Sequence, residues 1–351
     1  MKHNLPTIEI DGRIIGENMP PYIIAEMSAN HNGNLERAFD IIIKAKESGA
    51  DAVKLQTYTA DTITLNCDNS EFQITEGLWQ GQTLYELYSQ AHMPWDWHLP
   101  LFEYANKIGI TIFSSPFDET AVDLLEELGA PAYKIASFEA VDLRLIDYVA
   151  RTGKPMIIST GMASATEIEE AVETARAGGC SQLALLQCVS SYPAKASDYN
   201  LSRIPDLRTR FNTVVGLSDH TIDNTCAIAS TVLGGSIIEK HFTLDRQGGG
   251  PDDSFSLEPD ELKNLCSTTL SAWEAIGTPH YGVKSSEATS IKHRRSLYFV
   301  KTLHEGDVIT ADAIRSVRPG YGLPTKMFDS VVGRKLSKSV TFGDPVSQDV
   351  L

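Results

Sequence analysis

Positive charge is scarce in this chain: 30 lysines and arginines stand against 46 aspartates and glutamates, a formal net charge of -16 at pH 7. Nucleic acid and anionic membrane both need a basic face that displaces condensed counterions, so neither is expected as a partner. Cysteine is also sparse. Cys67, Cys180, Cys188, Cys226 and Cys266 form no CxxC pair and are odd in number, which excludes a disulfide framework and a zinc knuckle. No run approaches the ~18 consecutive apolar residues of a membrane span. Met1-Lys2-His3-Asn4-Leu5-Pro6 lacks the apolar core of a secretory signal, so the expectation is a cytoplasmic protein with reduced thiols. What the chain does have is bulk: 351 residues at 42% hydrophobic composition suffice for one large domain and a small one.

Short β-branched runs alternate with helical patterns from Tyr22 to about residue 280. Eight such runs occur: Tyr22 to Glu26, Ala52 to Gln56, Thr111 to Ser115, Ala132 to Ser137, Pro155 to Thr160, Leu183 to Cys188, Thr213 to Ser218 and Ser236 to His241. Eight strand-helix units predict a (β/α)8 barrel, an α/β TIM-barrel fold. Helix ends are legible too, with Ser164 as a cap before Ile168 to Ala177, Gly178-Gly179 as a stop, and Leu35 to Ser48 running into Gly49. The second and third strands lie too far apart for one helix, so Asp61 to Gln90 is expected as an inserted loop and helix over the barrel mouth. Ile8 to Ile15 reads as a hairpin with an Asp11-Gly12 turn, plugging the bottom.

After residue 282 the composition becomes small and polar, giving a linker over 283–292. The barrel with its hairpin thus spans 1–282, and 293–351 forms a second domain. There Gly306 to Ile314 aligns with Gly343 to Leu351, and Arg295-Ser296-Leu297 with Arg334-Lys335-Leu336. This weak repeat predicts a small β-rich unit with pseudo-twofold symmetry, chance similarity being the alternative.

In a barrel the C-terminal strand ends open onto one face, and polar residues recur there. Gly216-Leu217-Ser218-Asp219-His220 and Glu239-Lys240-His241-Phe242 end the last two strands. A lone histidine at such a place is more often a structural hydrogen-bonding group than a ligand. Two on consecutive strands favour a shared cation; without cysteine they suit Mn, Fe, Co or Zn and leave positions open for water or substrate. Lys54, Lys134 and Lys240 lie within strands, where an unpaired ammonium is costly. Either Glu26, Glu139 or Glu239 pairs with them internally, or they join Ser115, Ser137, Ser159 and Ser218 in holding the phosphate and carboxylate of a small phosphorylated acid. Gly248-Gly249-Gly250 is either a flexible loop or a place where the backbone approaches a ligand closely.

These residues resemble the sialic acid synthase family along nearly the whole chain. The resemblance rests on Glu26 with Asn30-His31-Asn32-Gly33, Tyr133-Lys134-Ile135-Ala136-Ser137, Ser159-Thr160-Gly161-Met162, the two histidine motifs, and Gly250-Pro251-Asp252 with Ser256-Leu257-Glu258-Pro259. The tail resembles the family's antifreeze-like (SAF) domain. The resemblance implies condensation of phosphoenolpyruvate with an open-chain amino sugar to a nine-carbon 2-keto acid. Glu26 to Gly33 and Gly248 to Phe255 resemble the pseudaminic acid branch, and Ser190 stands where N-acetylneuraminate synthases tend to have Asn. This favours 2,4-diacetamido-2,4,6-trideoxy-L-altrose over N-acetylmannosamine, with N-acetylneuraminate or legionaminate synthesis as the alternative.

By the same resemblance His220 and His241 bind a divalent cation, Mn2+ first and Mg2+ or Co2+ as alternatives. Lys54, Ser115, Lys134, Ser137, Ser159, Ser190 and Ser218 hold phosphoenolpyruvate. Glu26, expected also to take part in catalysis, and Tyr192 meet the sugar, and Arg318 reaches from the small domain into the barrel of another subunit in a domain-swapped homodimer; Asp252, read from the glycine loop itself, is expected to meet sugar hydroxyls. Glu139, two residues past Ser137 on an extended segment, is the candidate base for a water, with pairing to Lys134 as the alternative. Rival classes are a pyruvate-using barrel aldolase or deoxy-sugar-phosphate synthase, and a non-catalytic carbohydrate-binding protein.

Overall fold

The computed structural model describes residues 5–351, which divide into two compact units, one ending at Gly277 and the other running from Thr278 to Leu351. A hairpin opens the first: β1 (Ile8–Ile10) pairs antiparallel with β2 (Arg13–Ile15), and Asp11 and Gly12 turn at φ 49° and 77°, both in the left-handed region of a type I′ turn. Eight parallel strands then close a barrel. They are β3 (Tyr22–Glu26), β4 (Ala52–Thr57), β5 (Thr111–Pro116), β6 (Tyr133–Ile135), β7 (Met156–Ser159), β8 (Leu183–Cys188), β9 (Val214–Asp219) and β10 (Ile237–His241), with β10 pairing both β9 and β3. The (β/α)8 expectation is met strand for strand, β6 being shorter than expected. Its predicted end leaves the sheet, and the Glu139 N–H bonds Ala136 O at 3.2 Å, entering a 3-10 turn over Glu139–Val141.

The helices follow from their caps and apolar stripes. The longer ones include α1 (Leu35–Ser48), α4 (Trp95–Ile108), α7 (Ala165–Ala177) and α10 (Pro259–Ile276). Ser164 caps α7 in a capping box with Glu167, and Gly49 ends α1 at φ 96°. Between β4 and α4 lie α2 (Ala60–Ile63) and α3 (Leu84–Ala91), the predicted insertion. Trp79 from it donates to Pro251 O at 3.2 Å and faces the Tyr192 ring at 6.2 Å, so the insertion does reach the loops at the mouth.

Period-two alternation sorts each strand between two cores. Ile23, Val53, Ile112, Ile135, Ile158, Leu185, Val215 and Ile238 pack outward with the helices. Tyr22, Ile24, Ala52, Phe113, Ala132, Ile157, Ala184, Val214 and Ile237 pack inward, and Ile8, Ile10 and Ile15 of the hairpin join them. The hairpin therefore closes the end at which the strands begin, as expected. One step along each strand on the same inward face, the apolar layer gives way to polar side chains. No helix among the described residues is long and apolar enough to cross a membrane, and all five cysteines are free thiols.

In the second unit β11 (Ser296–Phe299) pairs antiparallel with β12 (Ile314–Val317) over a small core that includes Leu297, Ile309, Leu336 and Val346. The internal repeat is visible in the backbone. Gly306 and Gly343 both turn at positive φ (87° and 94°), and Asp307 and Asp344 accept from the N–H groups of His304 and Thr341. Leu303 and Val340, equivalent positions in the repeat, pair with each other in both directions (3.1 and 2.9 Å). A local twofold axis therefore passes between them.

Candidate active site

The polar layer sits at the C-terminal mouth of the barrel, where the fold's topology gathers strand ends. At its centre is Glu239. Its Oε1 lies 3.6 Å from Lys54 Nζ and 3.5 Å from Lys134 Nζ, and accepts from the Ser218 hydroxyl at 3.3 Å. Lys54 in turn pairs with Glu26 Oε2 at 2.8 Å and donates to Ser115 at 3.1 Å. All four ionisable groups are buried. Burial pushes Glu239 up, but the two lysines outweigh it and hold the carboxyl below its ordinary value. Burial likewise works against the Lys54 charge, and Glu239 and Glu26 more than restore it. For Lys134 burial wins over Glu239 and its pKa is lowered, while Glu26 is raised by burial against the pull of Lys54. Lys54 is thus held between two carboxylates and Lys134 beside one of them, a cluster whose charges depend strongly on one another.

Around this centre stands a set of buried polar atoms without protein partners. Ser159 Oγ, Ser190 Oγ, Glu139 Oε2, Glu239 Oε2 and His241 Nδ1 all belong to it. Orphans of this kind are rare in folded proteins, and their concentration at one mouth marks a site that a ligand completes. Ser137 and Ser190 are drawn together over Gly161: a Cβ there would lie 2.5 Å from Ser137 Cβ and 2.9 Å from Ser190 Oγ. The glycine leaves both hydroxyls facing one small space.

His220 and His241 lie side by side, ring centroids 5.4 Å apart. His220 Nδ1 bonds the Val189 carbonyl at 2.7 Å, which assigns a proton to Nδ1 and makes Nε2 the nitrogen that would face a cation. Burial first, then the neighbouring His220 and lysines, hold His241 neutral far below its ordinary pKa. At His220 burial lowers the pKa, but Cys188, the Val189 carbonyl and Glu239 outweigh it and raise it, so a cation there would displace a proton; once deprotonated, the two imidazoles fit a borderline divalent cation. Among the described residues no group of three or more His, Cys, Asp and Glu side chains is arranged as a metal cage, so these two would be its protein ligands. Tyr192 packs against His220 (4.4 Å) and Phe255 (5.1 Å), and Phe255 against His241 (5.1 Å), giving the pair an aromatic wall.

Of the expected residues, Glu26, Lys54, Ser115, Lys134, Ser137, Ser159, Ser190, Ser218, His220 and His241 come from the inward strand positions or the loops that continue them. Tyr192 and Asp252 join from the mouth loops. Arg318 is exposed in the second unit, at a cis peptide bond to Pro319. Three readings are corrected. Lys240 is not among the anion-binding lysines: it lies on the outer face, 3.0 Å from Asp219 and donating to the carbonyls of Thr221 and Asp223 at 2.7 Å each. Glu139 is on a 3-10 turn, not an extended segment. Nor does it pair with Lys134, whose ion-pair partner is Glu239. The internal pairing expected as one alternative is present for Lys54 with Glu26 and for Lys134 with Glu239. Not among the expected site residues are Gln56 and Cys188, which strand parity puts on the inward face, and Ser28, which a left-handed turn after β3 brings beside them. Gln56 donates to Glu26 at 2.8 Å and to Ser28 at 2.9 Å. Cys188 Sγ lies 4.0 Å from His220 Nδ1.

A closed parallel barrel whose mouth combines buried lysines, free hydroxyls and two adjacent imidazoles defines a barrel enzyme suited to a small anionic substrate. The chain belongs to the NeuB family, whose model matches residues 41–281, and the SAF domain is matched at 294–351. It is 43% identical to the pseudaminic acid synthase of Helicobacter pylori over 94% of this chain and 97% of that one. To the pseudaminic acid synthase of Campylobacter jejuni it is 41% identical, over 93% and 95%. Among solved structures, the N-acetylneuraminic acid synthetase of Leptospira borgpetersenii in complex with citrate superposes with a TM-score of 0.74 at 33% identity, covering 84% of this chain and 98% of that one.

Proposed function

We propose that this chain is a pseudaminic acid synthase, condensing phosphoenolpyruvate with 2,4-diacetamido-2,4,6-trideoxy-L-altrose to a nine-carbon 2-keto acid and phosphate. The observation that carries the reading is the set of buried, unpartnered hydroxyl, carboxylate and imidazole atoms beside Lys54 and Lys134. In this reading the lysines, with Ser115, Ser137, Ser159, Ser190 and Ser218, hold the carboxylate and phosphate of phosphoenolpyruvate through charge-assisted hydrogen bonds. Glu26, Tyr192 and Asp252 orient the sugar. A divalent cation at His220 and His241, Mn2+ in our reading with Mg2+ or Co2+ as alternatives, supplies Lewis acidity toward the sugar aldehyde. The enol carbon C3 bonds to the aldehyde carbon, and the cationic C2 is captured by a water whose proton passes to Glu139. The C2–O bond to phosphate then breaks, and the C2 hydroxyl becomes the keto group.

Arg318 is assigned to the site of a second copy in a domain-swapped homodimer. Charge supports this: residues 278–351 hold eleven lysines and arginines against seven acidic residues, in a chain that totals 30 against 46. The small unit is cationic and the barrel strongly anionic, as partners that attract would be. Phe138, Val141 and Met162, 54–61% exposed on the loops after β6 and β7, offer apolar area for it to cover. A cytoplasmic location completes the reading.

The fate of the enol oxygen tests the reaction class. With heavy oxygen in the C–O–P bridge, the account expects all of the label in the released phosphate. Label retained in the keto acid would mean P–O cleavage and contradict this mechanism, and turnover with pyruvate in place of phosphoenolpyruvate would favour the aldolase class instead.

A further inference from the structure

A buried carboxylate in the loop after β10 gathers four donors from three parts of the chain. Asp253, 1% exposed, accepts through Oδ2 from Asn32 Nδ2 and the Gly250 N–H, both at 2.8 Å. Through Oδ1 it accepts from Arg37 Nη2 at 3.3 Å and from the Thr243 hydroxyl. Arg37 extends the clasp, donating to Asn30 O at 2.7 Å and to Thr243 Oγ1 at 3.1 Å. Asn30 crosses back to Phe242 O at 2.9 Å and Ser256 Oγ at 2.8 Å. These contacts join the ends of β3 and β10, the first and last strands of the barrel, where its seam closes. The glycines belong to the same clasp. A Cβ on Gly250 would lie 1.7 Å from Asn32 Oδ1, and one on Gly248 would lie 2.6 Å from Asp253 Oδ2. At Gly248 and Gly250 the close backbone approach is to the clasp, whereas Gly249 faces open space.

Asp252 is where the clasp meets the site. Its carboxylate accepts from the Ser28 hydroxyl and, at 3.4 Å, from the Ala29 N–H. Ser28, held at φ 46°, also accepts from the Gln56 amide that donates to Glu26. Asp252, Ser28, Gln56 and Glu26 therefore form one hydrogen-bonded surface whose geometry depends on how the loop is docked.

We propose that Asp253 is the positioning residue for sugar recognition: its carboxylate docks the loop 248–255 against the loop after β3 and so sets the surface from Asp252 to Glu26. This rests on the assignment of Glu26 and Asp252 to the sugar. In Asp253→Asn one acceptor oxygen becomes an amide donor and faces two of the four donors, so the clasp loosens with almost no change of volume. The test combines steady-state kinetics on the full chain with hydrogen exchange over 248–257. Expected are a KM for the diacetamido sugar raised about tenfold, with KM for phosphoenolpyruvate and kcat changed less than about twofold, and faster exchange confined to that loop and its partner. Arg37→Met, which removes a donor instead, should give the same split and serves if the first variant folds poorly. An unchanged sugar KM, an equal rise for both substrates, or unaltered exchange overturns the proposal. Wild-type protein with a protected loop but no phosphate release with any sugar overturns the sugar assignment, and the exchange comparison then decides the clasp alone.

Discussion

Replacing His241 with alanine should abolish cation-dependent phosphate release, a loss well beyond the ~10–100-fold attached to residues that merely support metal ligands. The reason is the thinness of the ligand set: His220 and His241 face each other at 5.4 Å, and no third protein ligand among the described residues completes a cage. Losing one imidazole removes half of the protein's hold on the cation. Calorimetric titration with Mn2+ checks this without relying on turnover, and the variant is expected to show no saturable binding. Unchanged Mn2+ affinity would sink the ligand assignment. Histidine is also the cleaner place to intervene than Lys54 or Lys134. Breaking a buried ion pair from one side costs about 3–5 kcal/mol, so a lysine variant would confound lost binding with lost fold.

Glu139→Gln should reduce kcat by about 10²–10⁴-fold, the usual contribution of a positioned general base. Its pH behaviour separates this from a structural role. Burial raises the Glu139 carboxyl from 4.5 to about 7, opposed by a hydrogen bond from its own backbone and by the Lys134 charge. The base form predominates only above that value, so wild-type kcat/KM should climb as pH rises toward about 7 and level off beyond it, and this limb should vanish in the glutamine variant. Stability moves the other way. A carboxyl that keeps its proton longer in the folded state than in the unfolded one opposes folding as pH rises from about 4.5 through about 7. The neutral amide removes that cost, so the variant should melt no lower than wild type at pH above about 7. Stopped-flow phosphate release across pH, beside thermal melts, measures both. A wild-type profile flat through neutral pH, or an ascending limb that survives in the variant, would remove Glu139 from the chemistry.

The fold was legible because its signals are local. β-Branched runs bounded by caps and glycines located every barrel strand to within two residues, and Asp11-Gly12 announced the hairpin. Side-chain phase was legible in principle, since alternation alone puts Lys54, Ser115, Ser159, Ser218 and Glu239 on one face and Lys240 on the other. Charge alone groups Lys240 with the anion-binding lysines, but phase separates it: it lies one residue past Glu239, and Asp219 one past Ser218, so those two meet behind the wall that Glu239 and Ser218 line. Glu139 required knowing that β6 breaks early, and no residue between Ala136 and Glu139 announces the 3-10 turn. The clasp at Asp253 was out of reach. It joins Asn32, Arg37, Thr243 and Gly250 across more than 200 positions of sequence, and such a convergence exists only once the barrel has closed.

Sugar selectivity tests the central claim most directly. Phosphate release from phosphoenolpyruvate with Mn2+ should be measured against N-acetylmannosamine, its 2,4-diacetamido-6-deoxy analogue and 2,4-diacetamido-2,4,6-trideoxy-L-altrose. Turnover is expected with the L-altrose isomer and little with the other two. Turnover with N-acetylmannosamine alone would contradict that claim.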